Sequence, residues 1–128
     1  PKESIQLNGD TGPFIQYAYT RIASLLRAAE SSTFSSPDTL NQEELDLIKL
    51  LNTYNKTVQL AAKDANPAIV ASFAYDLAKS FNKFYHSHSI LGAEEENTKQ
   101  FRIALSETTG KVLKHAFSLL GIEMPERM

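Results

Sequence analysis

From Asn66 to Tyr85 the apolar residues return every three or four positions: Ile69 or Val70, Phe73, Leu77, Phe81, then Phe84 or Tyr85. A strand would place them at every second position, whereas this spacing lines them along one side of a helix with 3.6 residues per turn. Asn66 offers a side-chain cap and Pro67 a first-turn residue of fixed φ. The pattern predicts a long helix with a phenylalanine-rich stripe. Such a stripe is too apolar to face water, so other elements must cover it and this helix is expected at the centre of the core.

Its neighbours read as helices as well. Phe14 or Ile15, Ala18, Ile22, Leu25 or Leu26 and Ala29 predict a helix over about 13–30 that begins near Gly12, with Asp10 and Thr11 offering capping oxygens before Pro13. The Ser-rich segment 31–40 carries no period and reads as a loop. Asn41 followed by Glu44 resembles a capping box, after which Leu45, Ile48, Leu51 and Leu50 mark a helix to about residue 53. Between Tyr54 and Lys63, Val58, Ala61 and Ala62 keep the register, but Asn52, Thr53 and Asn55 are weak helix formers; one bent helix and two short ones both fit. Phe101, Leu105, Thr108, Val112, Ala116 and Leu119 or Leu120 predict a last helix over about 94–120, with Gly121 as its C′ residue and Pro125 beyond. Strand signals are almost missing and no internal repeat is evident. The expectation is an all-α fold, an antiparallel bundle of four to five helices, in a chain of 128 residues that suits one domain. Residues 1–9 read as a lead-in from an upstream domain and 10–128 as the bundle; a start at Pro1 without Met fits a piece of something longer.

Several chemistries fall away. The chain has no Cys, which removes disulfides, thiolate metal sites and a Cys nucleophile and favours an intracellular address. No P-loop, dinucleotide-binding glycine pattern, nucleophile elbow or His-Glu-x-x-His motif is present. No apolar run approaches the roughly 20 residues needed to cross a bilayer, so a soluble chain is expected. His86 and His88 lie two apart, a spacing that sends them in different directions on a helix, and no carboxylate cluster joins them. No metal site is expected. Glu94, Glu95 and Glu96 suit the positive first turn of the last helix. The net charge of −2 argues against a broad phosphate-gripping surface. Locally the balance reverses: over residues 99–128 five basic side chains, Lys99, Arg102, Lys111, Lys114 and Arg127, face three acidic ones.

Aromatic and cationic residues also fall outside the core stripes. Tyr17 and Arg21 are four apart and share a helix face, Tyr85 closes the central helix, and Arg127 and Met128 end the chain. Unstacked bases lie on aromatic rings, guanidinium planes or thioethers, so these residue types suit single-stranded RNA. By pattern alone they suit a half-buried helix face equally well.

Specific words in the sequence go further. GDTGPFIQYAYTRIASLLR, residues 9–27, closely resembles the segment that opens the C-terminal domain of arginyl-tRNA synthetases; YDLAKSFNKFYH, residues 75–86, and LLGIEMPERM, residues 119–128, are similar to that family's later markers. The resemblance implies the all-α anticodon-binding module known as the DALR domain. It implies that Tyr17 and Arg21 meet the anticodon loop, that the late aromatic of the central helix is Tyr85, with Phe84 or His86 possible by a slip of one, and that the family's terminal Met is Met128, a further RNA contact at what is expected to be the natural C-terminus. Gln16 is a weaker candidate, an amide able to read a base edge; Lys83, Arg102, Lys111 and Lys114 are phosphate candidates on charge only. The Gly9–Pro13 turn is expected to set the chain path rather than to bind.

The implied partner is an arginine tRNA whose anticodon bases splay out, a cytosine at the middle position among them. No catalysis and no cofactor are expected in the fragment; ATP, arginine and ligation would belong to an absent upstream catalytic domain of the same, cytoplasmic, monomeric protein. The competing expectation is a helical protein–protein interaction bundle.

Overall fold

A computed structural model of the chain describes residues 11–29, 37 and 39–125. Among these, five helices follow one another, α1 (Thr11–Ala28), α2 (Gln42–Asn52), α3 (Tyr54–Lys63), α4 (Pro67–Ser87) and α5 (Glu96–Leu119), with no strand. The all-α bundle expected from periodicity is what forms. The lead-in at 1–9, Asp10, most of the Ser-rich segment, and Arg127 and Met128 lie outside the described residues.

The phenylalanine stripe does what its composition demands. α4 packs against each of the other four helices, and α1 also lies along α5. Leu77, Phe81 and Phe84 are fully buried, together with Ile15 and Ile22 of α1, Leu47 of α2, and Ile103, Leu113 and Phe117 of α5. Burial also settles the alternatives: Val70, Phe84, Ile15 and Leu25 are the inward members of their pairs, and Ile69, Tyr85, Phe14 and Leu26 flank them.

Two stripes differ from expectation. In α2 the core residue is Leu47, while Leu45, Ile48 and Leu51 are only partly buried. In α5 the buried line runs through Ile103, Ser106, Gly110, Leu113 and Phe117, so Thr108 faces out and Phe101 and Val112 sit at the margin. Polar and small residues disguise that line. Ser106 and Thr109 are fully buried, each hydroxyl donating to the carbonyl four residues back, Arg102 and Leu105, at 2.8 Å. A satisfied hydroxyl costs little to bury. At Gly110 α5 lies close against α1: a Cβ there would stand 3.0 Å from Ile22 Cγ2. Absence of a side chain, rather than an apolar one, marks the contact.

Helix ends follow local chemistry. Asn41 Oδ1 accepts from the Glu44 amide at 2.8 Å and Glu44 Oε1 accepts from the Asn41 amide at 3.0 Å, completing the capping box. The α2–α3 boundary falls at Thr53, whose hydroxyl donates to the Leu50 carbonyl at 2.8 Å and replaces a continuous helical turn. Asn66 caps α4 through the Ala68 amide, as its sequence context predicts. α5 ends on Gly121 at φ +76°, with the Ile122 amide reaching back to the Phe117 carbonyl, and α3 ends in the same way on Ala65 at φ +50°, with the Asn66 amide on the Ala61 carbonyl. Left-handed backbone favours glycine, so Ala65 holds a conformation that Gly121 adopts without strain.

Candidate nucleic-acid interface

Along the seam between α1 and α4, polar side chains sit above the apolar contact of the two helices. Tyr17 and Arg21 occupy one edge of α1, a turn apart, while Ile15, Ala18 and Ile22 of the same helix are buried. Across the seam α4 presents Asn82, Tyr85 and His86, which its period places beside one another once Phe81 and Phe84 face inward.

Arg21 joins the two sides. Its Cζ lies 4.5 Å from the Tyr85 ring centre and 5.0 Å from that of Tyr17. Nη1 donates to Asn82 Oδ1 at 2.9 Å and lies 3.4 Å from His86 Nε2, and Nη2 donates to the Tyr17 hydroxyl at 3.4 Å. The Tyr85 ring is backed by Phe81 at 6.0 Å between centres and met edge-on by His86 at 5.6 Å. A guanidinium over an exposed ring contributes about 0.5–1 kcal/mol. Tyr17 stays 52% exposed and His86 is exposed, so the cluster opens to solvent rather than closing as core.

The three residues singled out in the sequence, Tyr17, Arg21 and Tyr85, are therefore one surface cluster. Of the two neighbours of Tyr85, Phe84 is fully buried and His86 is exposed at the rim. Asn82 is missing from the sequence reading and His86 enters it only as a one-residue alternative to Tyr85, although Asn82 lies three residues before Tyr85 and four before His86. Gln16 lies on a different edge of α1, its amide donating to the Glu123 carbonyl at 3.4 Å and tying the tail to the helix. Met128 is outside the described residues.

The charge-based candidates divide. Lys83 is exposed on α4. Lys111 and Lys114 rim a groove of about 360 Å³ between α1 and α5, floored by Ile22, Ala23 and Leu26. Arg102 does not belong with them. Its Nε donates to Glu44 Oε2 at 2.9 Å and its Nη1 to the Ser89 carbonyl at 2.7 Å, with side-chain exposures of 15% for Arg102 and 3% for Glu44. This guanidinium compensates a buried carboxylate, so the phosphate role expected from its charge is corrected to a structural one.

The histidine pair separates as the helix dictates. His86 joins Arg21, whereas His88 Nε2 meets Glu43 Oε1 at 2.8 Å. That hydrogen bond is the main reason the Glu43 carboxyl is held below its ordinary value. Elsewhere the Tyr54 hydroxyl lies 2.8 Å from His115 Nδ1, and burial pushes the phenol's pKa up. Among the described residues no three His, Cys, Asp or Glu side chains are grouped to hold a metal ion, and no helix is long and apolar enough to cross a membrane.

Comparison with known proteins decides the family. The DALR anticodon binding domain matches residues 15–128. The chain belongs to that family. Over its whole length it is 50% identical to an arginine–tRNA ligase of Phocaeicola vulgatus and 45% identical to one of Porphyromonas gingivalis, and it spans 22% of the length of each. Among solved structures, Thermus thermophilus arginyl-tRNA synthetase superposes with a TM-score of 0.86 at 30% identity, over 99% of this chain and 23% of that one. A structure described as a putative arginyl-tRNA synthetase from Campylobacter jejuni shares the fold, with a TM-score of 0.81 at 22% identity over 94% of this chain and 28% of its own. The anticodon-binding domain thus accounts for about a fifth of the arginine–tRNA ligases it resembles.

Proposed function

We propose that this domain binds the anticodon loop of an arginine tRNA through the α1–α4 seam, as the recognition module of an arginine–tRNA ligase. The observation that carries the proposal is the convergence of Tyr17, Arg21 and Tyr85, with Arg21 Cζ 4.5 Å and 5.0 Å from the two ring centres in an open cluster. Such a cluster suits splayed bases. Stacking on Tyr17 or Tyr85 is worth about 1–3 kcal/mol per base, and the guanidinium supplies planar donors to a base edge or phosphate. A wrong base, a replacement of the middle cytosine included, leaves a desolvated polar group unpaired at about 1–3 kcal/mol, which is a source of specificity.

Lys83 on α4, and Lys111 and Lys114 beside the α1–α5 groove, are exposed cations assigned to phosphates in this proposal, with Met128 a further RNA contact and Gln16 a weaker candidate. A site that stacks a few bases does not need a basic total, so a net charge of −2 is compatible with it. ATP, arginine and the ligation step are assigned in this proposal to the parts of such a ligase outside these 128 residues, with the protein a cytoplasmic monomer and this domain needing no cofactor.

Tyr17→Ala and Arg21→Ala are expected to weaken binding of an anticodon-loop hairpin about tenfold each at low salt, while melting temperature falls by no more than about 5 °C, the loss of the contacts within the cluster. Unaltered affinity in both variants overturns the assignment, and a large drop in melting temperature would show that the residue is core.

A further inference from the structure

Arg21 is the one strongly directional group in the cluster, and its direction is set from α4 rather than from its own helix. A guanidinium carries five N–H donors fixed in one plane, so its use in recognition depends on which edge is turned outward. Tyr85 lies against it at 4.5 Å, a contact that leaves the plane free to rotate about its normal. Asn82 removes that freedom. Its Oδ1 accepts from Nη1 at 2.9 Å, the shortest polar contact Arg21 makes among the described residues, and His86 Nε2 flanks the same nitrogen at 3.4 Å. On the far side Nη2 is directed at the Tyr17 hydroxyl at 3.4 Å.

The chemistry of the acceptor matters as much as its position. A carboxylate here would hold the guanidinium equally well but would cancel its charge and repel a phosphate. A neutral amide oxygen orients the cation and leaves the charge available. The residue sits one turn before His86 and three before Tyr85, so a single face of α4 supplies the ring, the in-plane acceptor and the flanking nitrogen.

We propose that Asn82 is a positioning residue that fixes the Arg21 guanidinium in the orientation in which it meets a nucleobase, with His86 as its flank; this rests on the RNA reading above. Asn82 then sets base preference more than affinity.

The test uses two readouts on the same chain. The first is the nitrogen-15 NMR spectrum of the Arg21 side chain without RNA, where a clamped guanidinium gives resolved Nη signals and a free one gives averaged signals. The second is the ratio of affinities for two anticodon-loop hairpins, one with cytosine and one with uridine at the loop centre. Asn82→Ala is expected to average the Arg21 signals, to lower the cytosine preference about tenfold, equivalent to about 1.4 kcal/mol, and to leave melting unchanged. Asn82→Asp is expected to restore resolved signals while weakening both hairpins together through its charge. Should Asn82→Ala melt early, Asn82→Ser, too short to reach Nη1, repeats the measurement. Averaged Arg21 signals in the unmodified chain overturn the clamp whether or not RNA binds. Resolved signals with no hairpin bound overturn the RNA reading and the proposed use of the clamp with it. A cytosine preference that survives in Asn82→Ala, its signals averaged, overturns the positioning role alone.

Discussion

Replacing Arg102 with Ala separates two readings of one residue. Glu44 is 2% exposed, and Arg102 Nε at 2.9 Å is its cationic partner; removing the guanidinium leaves a buried carboxylate without a counter-charge and the Ser89 carbonyl without the donor at 2.7 Å. Loss of one member of a buried pair costs about 3–5 kcal/mol. The lower end applies, because Glu44 keeps the Asn41 amide at 3.0 Å and the Arg102 side chain is 15% exposed, so water reaches the vacated site. About 3 kcal/mol corresponds to a fall in melting temperature of about 10 °C for a chain of this size. Urea denaturation should show the midpoint move with its slope unchanged. Lys111→Ala is the control: its pair with Glu107 spans 3.8 Å with the lysine side chain 76% exposed, and its loss should cost less than about 0.5 kcal/mol. A change below about 0.5 kcal/mol in Arg102→Ala, accompanied by loss of hairpin binding, would rule out the structural role and return Arg102 to the phosphate contacts.

Two further expectations follow from the helix ends and the acid–base pair. Ala65 and Gly121 occupy equivalent left-handed positions at φ +50° and +76°, so Ala65→Gly should stabilise and Gly121→Ala destabilise, each by about 1 kcal/mol in thermal unfolding. Space does not enter at Gly121, where an added Cβ would meet nothing within 4 Å; opposite signs are required, and equal signs contradict the argument. Glu43 is held below its ordinary value of 4.5 chiefly by His88, so its contribution to stability is complete above about pH 4.5 and is lost as pH falls through the lowered folded value. His88→Ala should return the Glu43 titration, followed by NMR, to the ordinary carboxylate range; an unshifted titration contradicts the assigned cause.

How far the fold was legible depended on what each helix buries. α4 buries aromatic and aliphatic residues at regular steps, so its core face could be read residue by residue, and the caps at Asn41, Asn66 and Gly121 are local chemistry that a sequence displays directly. α5 buries Ser106, Thr109 and Gly110, residues whose presence in a core depends on hydroxyl bonds to the preceding turn and on a close helix approach, neither visible in hydrophobic spacing. The same limit governed the site. Tyr17 and Arg21 are neighbours on one helix and could be paired from their spacing, but Tyr85 joined them only by residue type and through the resemblance, because no local rule connects residues 64 apart in sequence. Arg102 was misassigned for the converse reason: its partner Glu44 is 58 residues away, and an arginine looks the same in sequence whether it faces a phosphate or a buried acid.

The central claim is that the α1–α4 seam receives the anticodon loop. Titrating the isotope-labelled chain with an arginine anticodon-loop hairpin, and following the amide and side-chain NMR signals, tests it most directly. The largest shifts are expected on Tyr17, Arg21, Asn82, Tyr85 and His86, weakening as salt is raised, with α2 and α3 unmoved. Shifts centred on α2 and α3, or no shift at low salt, would contradict it.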